Sequence, residues 1–192
     1  MTRQHPRISV SLATLVLAGG LALTATGCST GAAPQSAPAA VHVVTVGSIT
    51  TDGTTILATA TVGDDVFLLG QNGSETRSAA SFDGSDPDLN WSTFGEPTAV
   101  DSTAFTVVNP SNFPDAAPGG IATATGQVGS DVTGIDIVTG DGVTVPASVQ
   151  DGYWIAAWEG GEFAGGDTLD PTFTAHLADG TARTVTYADT TN

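Results

Sequence analysis

Residues Val132–Trp158 read VTGIDIVTGDGVTVPASVQDGYWIAAW, and their period decides the fold. In VTGIDIV, Ile135 and Ile137 are separated by Asp136. In VTVPASV, apolar residues again take turns with polar or small ones. A period of two in β-branched sequence marks a strand, whereas an amphipathic helix would repeat its apolar positions every ~3.6 residues. Asp141-Gly142 and Asp151-Gly152 punctuate the runs, and such pairs accept the positive φ of a tight hairpin. The last run, YWIAAW, is apolar throughout. On a strand, Trp154, Ala156 and Trp158 share one face, and Tyr153, Ile155 and Ala157 share the other. Two readings follow. The run is a central strand buried on both sides, its alanines making room for the indoles. Alternatively, Trp154 and Trp158 form an exposed aromatic patch on which a sugar or a partner stacks, with Glu159 and Glu162 hydrogen-bonding its hydroxyls. Large aromatics more commonly fill cores, which favours the first.

Outward from this stretch the pattern repeats. TTILATATV and ATATGQV precede it, and TFTAHLA and TARTVTYA follow. Asp52-Gly53, Asn72-Gly73 and Asp179-Gly180 add further turn pairs. No amphipathic helix is visible beyond Cys28. Short strands at this spacing predict an all-β fold, an antiparallel β-sandwich or barrel-like domain, over residues 41–192. Packed structure is expected to begin at VHVVTV. Pro146 cannot donate to a ladder, so its strand is expected at an edge or a bulge. SFDGSDPDLNWSTFGEPT and NPSNFPDAAPGG read as long surface connections. A domain of this size can bury a sufficient core without disulfides.

The C-terminal stretch GQVGSDVTGIDIVTGDGVTVPASVQDGYWIAAWEGG, followed by FTAHLADGTARTV, resembles a β-rich module that recurs in secreted and membrane-attached actinobacterial proteins. The likeness covers roughly the last 70 residues and rests on hairpin-type motifs. It implies a β-rich envelope protein and no catalytic residue.

The opposite end of the chain has another character. MTRQHPR carries Arg3 and Arg7, and an uncharged apolar or small stretch follows up to Gly27. A basic head, an apolar segment and small residues before a break describe a secretory signal peptide, residues 1–27. Ala25-Thr26-Gly27-Cys28 resembles the lipobox of bacterial lipoproteins, with Ala25 where Leu is favoured. That resemblance implies cleavage between Gly27 and Cys28, and a diacylglyceryl group, with fatty acids such as palmitate, on the Cys28 thiol. Two acyl chains hold a protein at a bilayer where one would not. Cys28 is the sole cysteine of the sequence, so its modification leaves nothing for a disulfide. Residues 28–40, small, proline-punctuated and uncharged, read as a flexible linker behind the signal helix.

Charge narrows the function. The sequence has 20 acidic residues and four basic ones. Two of the four lie in the leader and every acid follows Cys28, so the processed chain carries 20 − 2 = 18 more acids than bases. There is no lysine. Nucleic-acid binding needs clustered cations, and Schiff-base, P-loop and Ser–Lys chemistries need a lysine. Nucleic acid is therefore not an expected partner. The loop with Asp83, Asp86, Asp88 and Asn90 alternates oxygen donors but lacks the glycine and bidentate Glu of a calcium loop, and reads as an acidic turn. His42 and His176 without thiols or HExxH spacing make a poor zinc site, and no G-x-S-x-G elbow is present. No cofactor, metal site or catalytic residue is expected. The sequence thus implies a protein of the extracytoplasmic face of the cell membrane, held by its lipid, acting as a non-catalytic binding or interaction module for an envelope protein or a glycan. A glycan or cell-wall hydrolase using a carboxylate pair, and a purely structural envelope component, are the alternatives.

Overall fold

The computed structural model describes residues 44–82, 89–163 and 170–190. The expectations for the leader, Cys28, the linker, His42 and the aspartates 83–88 lie outside these residues. Twelve strands follow one another: β1 (Thr55–Val62), β2 (Asp65–Asn72), β3 (Glu75–Ser81), β4 (Ser92–Thr93), β5 (Ser111–Phe113), β6 (Ile121–Gln127), β7 (Val132–Val138), β8 (Thr144–Pro146), β9 (Ser148–Gln150), β10 (Tyr153–Glu159), β11 (Thr172–Leu177) and β12 (Ala182–Thr186). A single helical turn, α1 (Tyr187–Thr190), closes the described chain. Among the described residues no helix is long and apolar enough to cross a membrane.

The strands form three antiparallel four-stranded sheets, ordered β1-β2-β3-β4, β5-β6-β10-β9 and β12-β11-β7-β8. The all-β, sandwich-like class read from the sequence is what the chain adopts. The layering is richer than two sheets, because β5-β6-β10-β9 is shared. From β10, Trp154, Ala156 and Trp158 join Ile135 and Ile137 of β7 and Phe173 and Ala175 of β11 in one core. From its other face, Ile155 and Ala157 join Ala58 of β1 and Phe67 and Leu69 of β2 in a second. A strand buried on both faces has no polar side to show, which is why YWIAAW lacks alternation.

Turn chemistry fixes the registers. Asp151 and Gly152 take φ of 50° and 84° between the paired residues Gln150 and Tyr153. This two-residue hairpin needs positive φ at both positions, which an Asp-Gly pair tolerates. Pro146 lies where expected. β8 edges its sheet and β9 edges the shared one, with Ala147 between them donating its N–H to Ile135 O at 2.8 Å. The segment Thr144–Gln150 therefore leaves one sheet and enters the next, a corner of the kind that joins packed sheets.

Three expectations need correction. The described part of VHVVTV, from Val44, is irregular, and Ile49 makes the first bridge, to Thr55. NPSNFPDAAPGG is not all connection, since it supplies β5 at the edge of the shared sheet. NWSTFGEPT likewise supplies β4, which pairs with β3.

Candidate functional site

Trp154 and Trp158 are 0% and 4% exposed, so no ligand can stack on them. The aromatic-patch reading is replaced by core. Each indole instead satisfies its N–H inside the protein. Trp154 Nε1–H donates to Thr106 O at 2.9 Å, and Trp158 Nε1–H donates to Glu162 Oε2 at 2.9 Å. A buried indole is stable only with such a partner. Glu162, expected to face a ligand, is buried, and its Oε1 accepts the Gly140 N–H at 3.1 Å. It ties the β7–β8 turn to the loop after β10. Glu159 is exposed.

The Trp154 bond organises the surface nearby. Residues 104–108 run along β6 as an irregular strap, with Thr106 N–H donating to Gln127 O and Val108 N–H donating to Thr125 O, both at 2.9 Å. The approach is close enough to require glycine beneath it. A Cβ on Gly126 would lie 1.8 Å from Thr106 O, and one on Gly129 would lie 2.0 Å from Asp101 O.

Beside this strap, at the end of the shared sheet, lies a groove of about 390 Å³. Thr98 and Ser102 form one wall, Gln127 and Ser130 the floor, and Asp151 and Tyr153 the other wall. It continues into a narrower cleft of about 130 Å³ that adds Glu96 and Pro97 and shares Thr98, Gln127 and Tyr153. Tyr153 and Gln127 meet because they are directly opposed in the β10–β6 ladder. Gln127 Oε1 accepts the Thr98 N–H at 2.9 Å, so its amide group remains as a donor. Partial burial raises the Tyr153 phenol above its ordinary pKa, keeping it neutral and able to donate. Neither arginine of the domain lines the groove. Its walls therefore present hydroxyls, an amide, an aromatic ring and two acids. Such a surface hydrogen-bonds neutral polyhydroxylated molecules and repels anions. None of Tyr153, Gln127 and Thr98 stood out as site residues in the sequence. The one available signal was Tyr153 opening a strand directly after a hairpin pair.

The other charged groups make structural bonds. His176 Nε2 lies 2.8 Å from Asp136 Oδ2 on the open face of the β12-β11-β7-β8 sheet. Among the described residues no hydroxyl is hydrogen-bonded to the His176 ring. Arg77 Nη1 donates to Asp52 Oδ2 at 3.0 Å and to Thr54 Oγ1 at 3.1 Å, and its guanidinium lies 6.0 Å from the Trp91 ring centre. The Asp52 carboxyl is held below its usual pKa, first by the Thr50 hydroxyl and then by Thr54 and Arg77. Among the described residues no three His, Cys, Asp or Glu side chains cluster closely enough for a metal ion.

Compared with known proteins, the chain matches no family model, no curated protein and no solved structure.

Proposed function

We propose that this chain is a lipid-anchored protein of the outer face of a bacterial cell membrane, whose β domain is a non-catalytic module binding an envelope glycan in the groove beside Tyr153. The anchor rests on the lone Cys28 behind a basic head and an apolar segment, a likeness to bacterial lipoproteins. The observation that carries the binding role is the cation-free groove, walled by Tyr153, Gln127, Thr98 and Ser102. A neutral sugar offers hydroxyls to these polar groups and an apolar ring face to tyrosine. A domain carrying 18 excess acids would be repelled by anionic polymers, leaving uncharged glycan segments as the suitable ligand class.

Two experiments test the two halves separately. Mass spectrometry of the membrane-extracted protein is expected to find a diacylglyceryl group on Cys28, and C28A is expected to appear in the medium. An unmodified thiol, or C28A still held by the membrane, overturns the anchor. Titration with soluble N-acetylglucosamine oligosaccharides, followed by amide NMR, is expected to shift Gln127, Ser130 and Tyr153 saturably, and Y153A is expected to abolish the response. No saturable shift in the native protein, or an undiminished one in Y153A, overturns the glycan reading.

A further inference from the structure

A second concavity lies elsewhere, where the β1–β4 sheet meets the β5 edge of the shared sheet. It measures about 350 Å³ and is walled by Phe82, Phe113, Pro114, Asp65, Asn112 and Asp115. Its apolar side is one rim of an aromatic cluster. The Phe82 and Phe113 rings stand 5.5 Å apart at 64°, and the buried Phe67 contacts both, at 6.1 and 5.5 Å. Phe82 is 37% exposed, an unusual position for a ring belonging to a packed aromatic trio.

The polar side of the cavity is all acceptor. Asp65 is only 9% exposed, and Asp115 stands on the opposite, β5 side of the opening, two residues past Phe113. The Asn112 Oδ1 is buried and accepts no hydrogen bond. A buried carbonyl oxygen without a donor is costly and calls for one. No lysine exists in the chain, and neither Arg77 nor Arg183 lines this cavity.

We infer that this cavity is a binding site for a small organic ammonium ion, an alkylated amine whose positive head meets the Phe82 and Phe113 rings while Asp65 and Asp115 supply the countercharge. Three independent features converge on that class. Aromatic faces attract soft organic cations, more strongly where water is excluded. Two carboxylates beside apolar walls favour a cation that itself carries apolar surface. The unpaired Asn112 oxygen accepts a hydrogen bond from an N–H or hydroxyl of the ligand. An inorganic cation would leave the aromatic wall unused, and an anion would be repelled. The site is separate from the groove beside Tyr153, so either can stand without the other.

The test uses choline and its uncharged isostere 3,3-dimethylbutanol, titrated into the full chain with amide NMR as readout. Choline is expected to shift Asn112, Phe113 and Ala116 saturably while leaving Gln127 and Tyr153 unmoved. The isostere should bind about tenfold more weakly, the scale of a partly desolvated cation–π contact. D115N should weaken choline several-fold without changing the spectrum elsewhere, and F82A should do the same through the lost ring. Equal binding of choline and the isostere would reduce the site to an apolar pocket and overturn the inference. So would the absence of a saturable shift, or D115N and F82A both binding choline as the native protein does.

Discussion

The two faces of β10 are equally buried and built from different materials. Toward β7 and β11 the strand presents Trp154, Ala156 and Trp158, and each indole reaches past the core to a polar partner, Thr106 O or Glu162. Toward β1 and β2 it presents Ile155 and Ala157, which meet aliphatic and phenyl groups and no polar atom of their own. The aliphatic face glues two sheets. The indole face does that and also moors irregular segments, the 104–108 strap and the loop after β10, to the regular frame. The groove exists because of the second kind of contact, since the strap forms the ground on which its wall stands.

The comparison can be broken most forcefully at Trp154. W154A should cost about 3–5 kcal/mol in denaturant unfolding, from lost burial and the cavity left behind. The sharper version pairs W154F with I155V. Conservative trimming of the aliphatic face should cost about 0.5–1.5 kcal/mol. W154F should exceed it, because Thr106 O loses its donor, and should speed amide exchange at Thr106 and Val108. If the two variants cost the same and exchange is unchanged, the mooring role fails. Next comes G126A, expected to cost about 1–3 kcal/mol as the strap is pushed off β6, with Tyr153 and Gln127 resonances shifting while the Ile155 side of the core stays put.

E162Q tests the second mooring. Gln retains one acceptor but sets an NH₂ group against either the Trp158 N–H or the Gly140 N–H, a mismatch of about 1–3 kcal/mol. It should act on the β7–β8 turn and spare the strap. The smallest effect is expected from acid. The carboxyls of Asp52, Asp141, Asp179 and Asp189 sit below their usual value of 3.8, chiefly through hydroxyls of Thr50, Thr139, Thr181 and Thr186. A carboxyl lowered on folding stabilises the protein fully above its unfolded value and loses that contribution as pH falls through its folded one. Unfolding midpoints should therefore be level above pH 5 and fall below about pH 4, with T50A and T139A flattening the decline. These groups are exposed, so the drop should be slight beside W154A.

Much of this fold was legible because its strands obey simple rules. β7, β11 and β1 alternate, and hairpin pairs such as Asp151-Gly152 mark where they reverse. β10 was readable from the opposite sign, an apolar run too short for a membrane and too rich in aromatics for a surface. β2, DVFLLGQN, gave less away, since Phe67, Leu68 and Leu69 are all buried and a continuous run carries no period. Two-residue β4 and three-residue β5 are held by pairing with longer neighbours, and strands so short leave no pattern. The groove was illegible for a different reason. Thr98, Gln127 and Tyr153 are separated by tens of residues and meet only through the β6–β10 register, which local sequence does not disclose. Glu162 was noticed as an acid near tryptophans, yet its partner was one of those indoles and not a ligand.

The corner at Ala147 ties these layers in a further way. Seven consecutive residues serve as the hem of two sheets, so neither can peel away while the other remains woven. Pulling the chain from its two ends should rupture both together in one event, with no stable half-open form between. A circular permutant opened at Ala147 would sever that seam and leave the layers free to come apart one at a time.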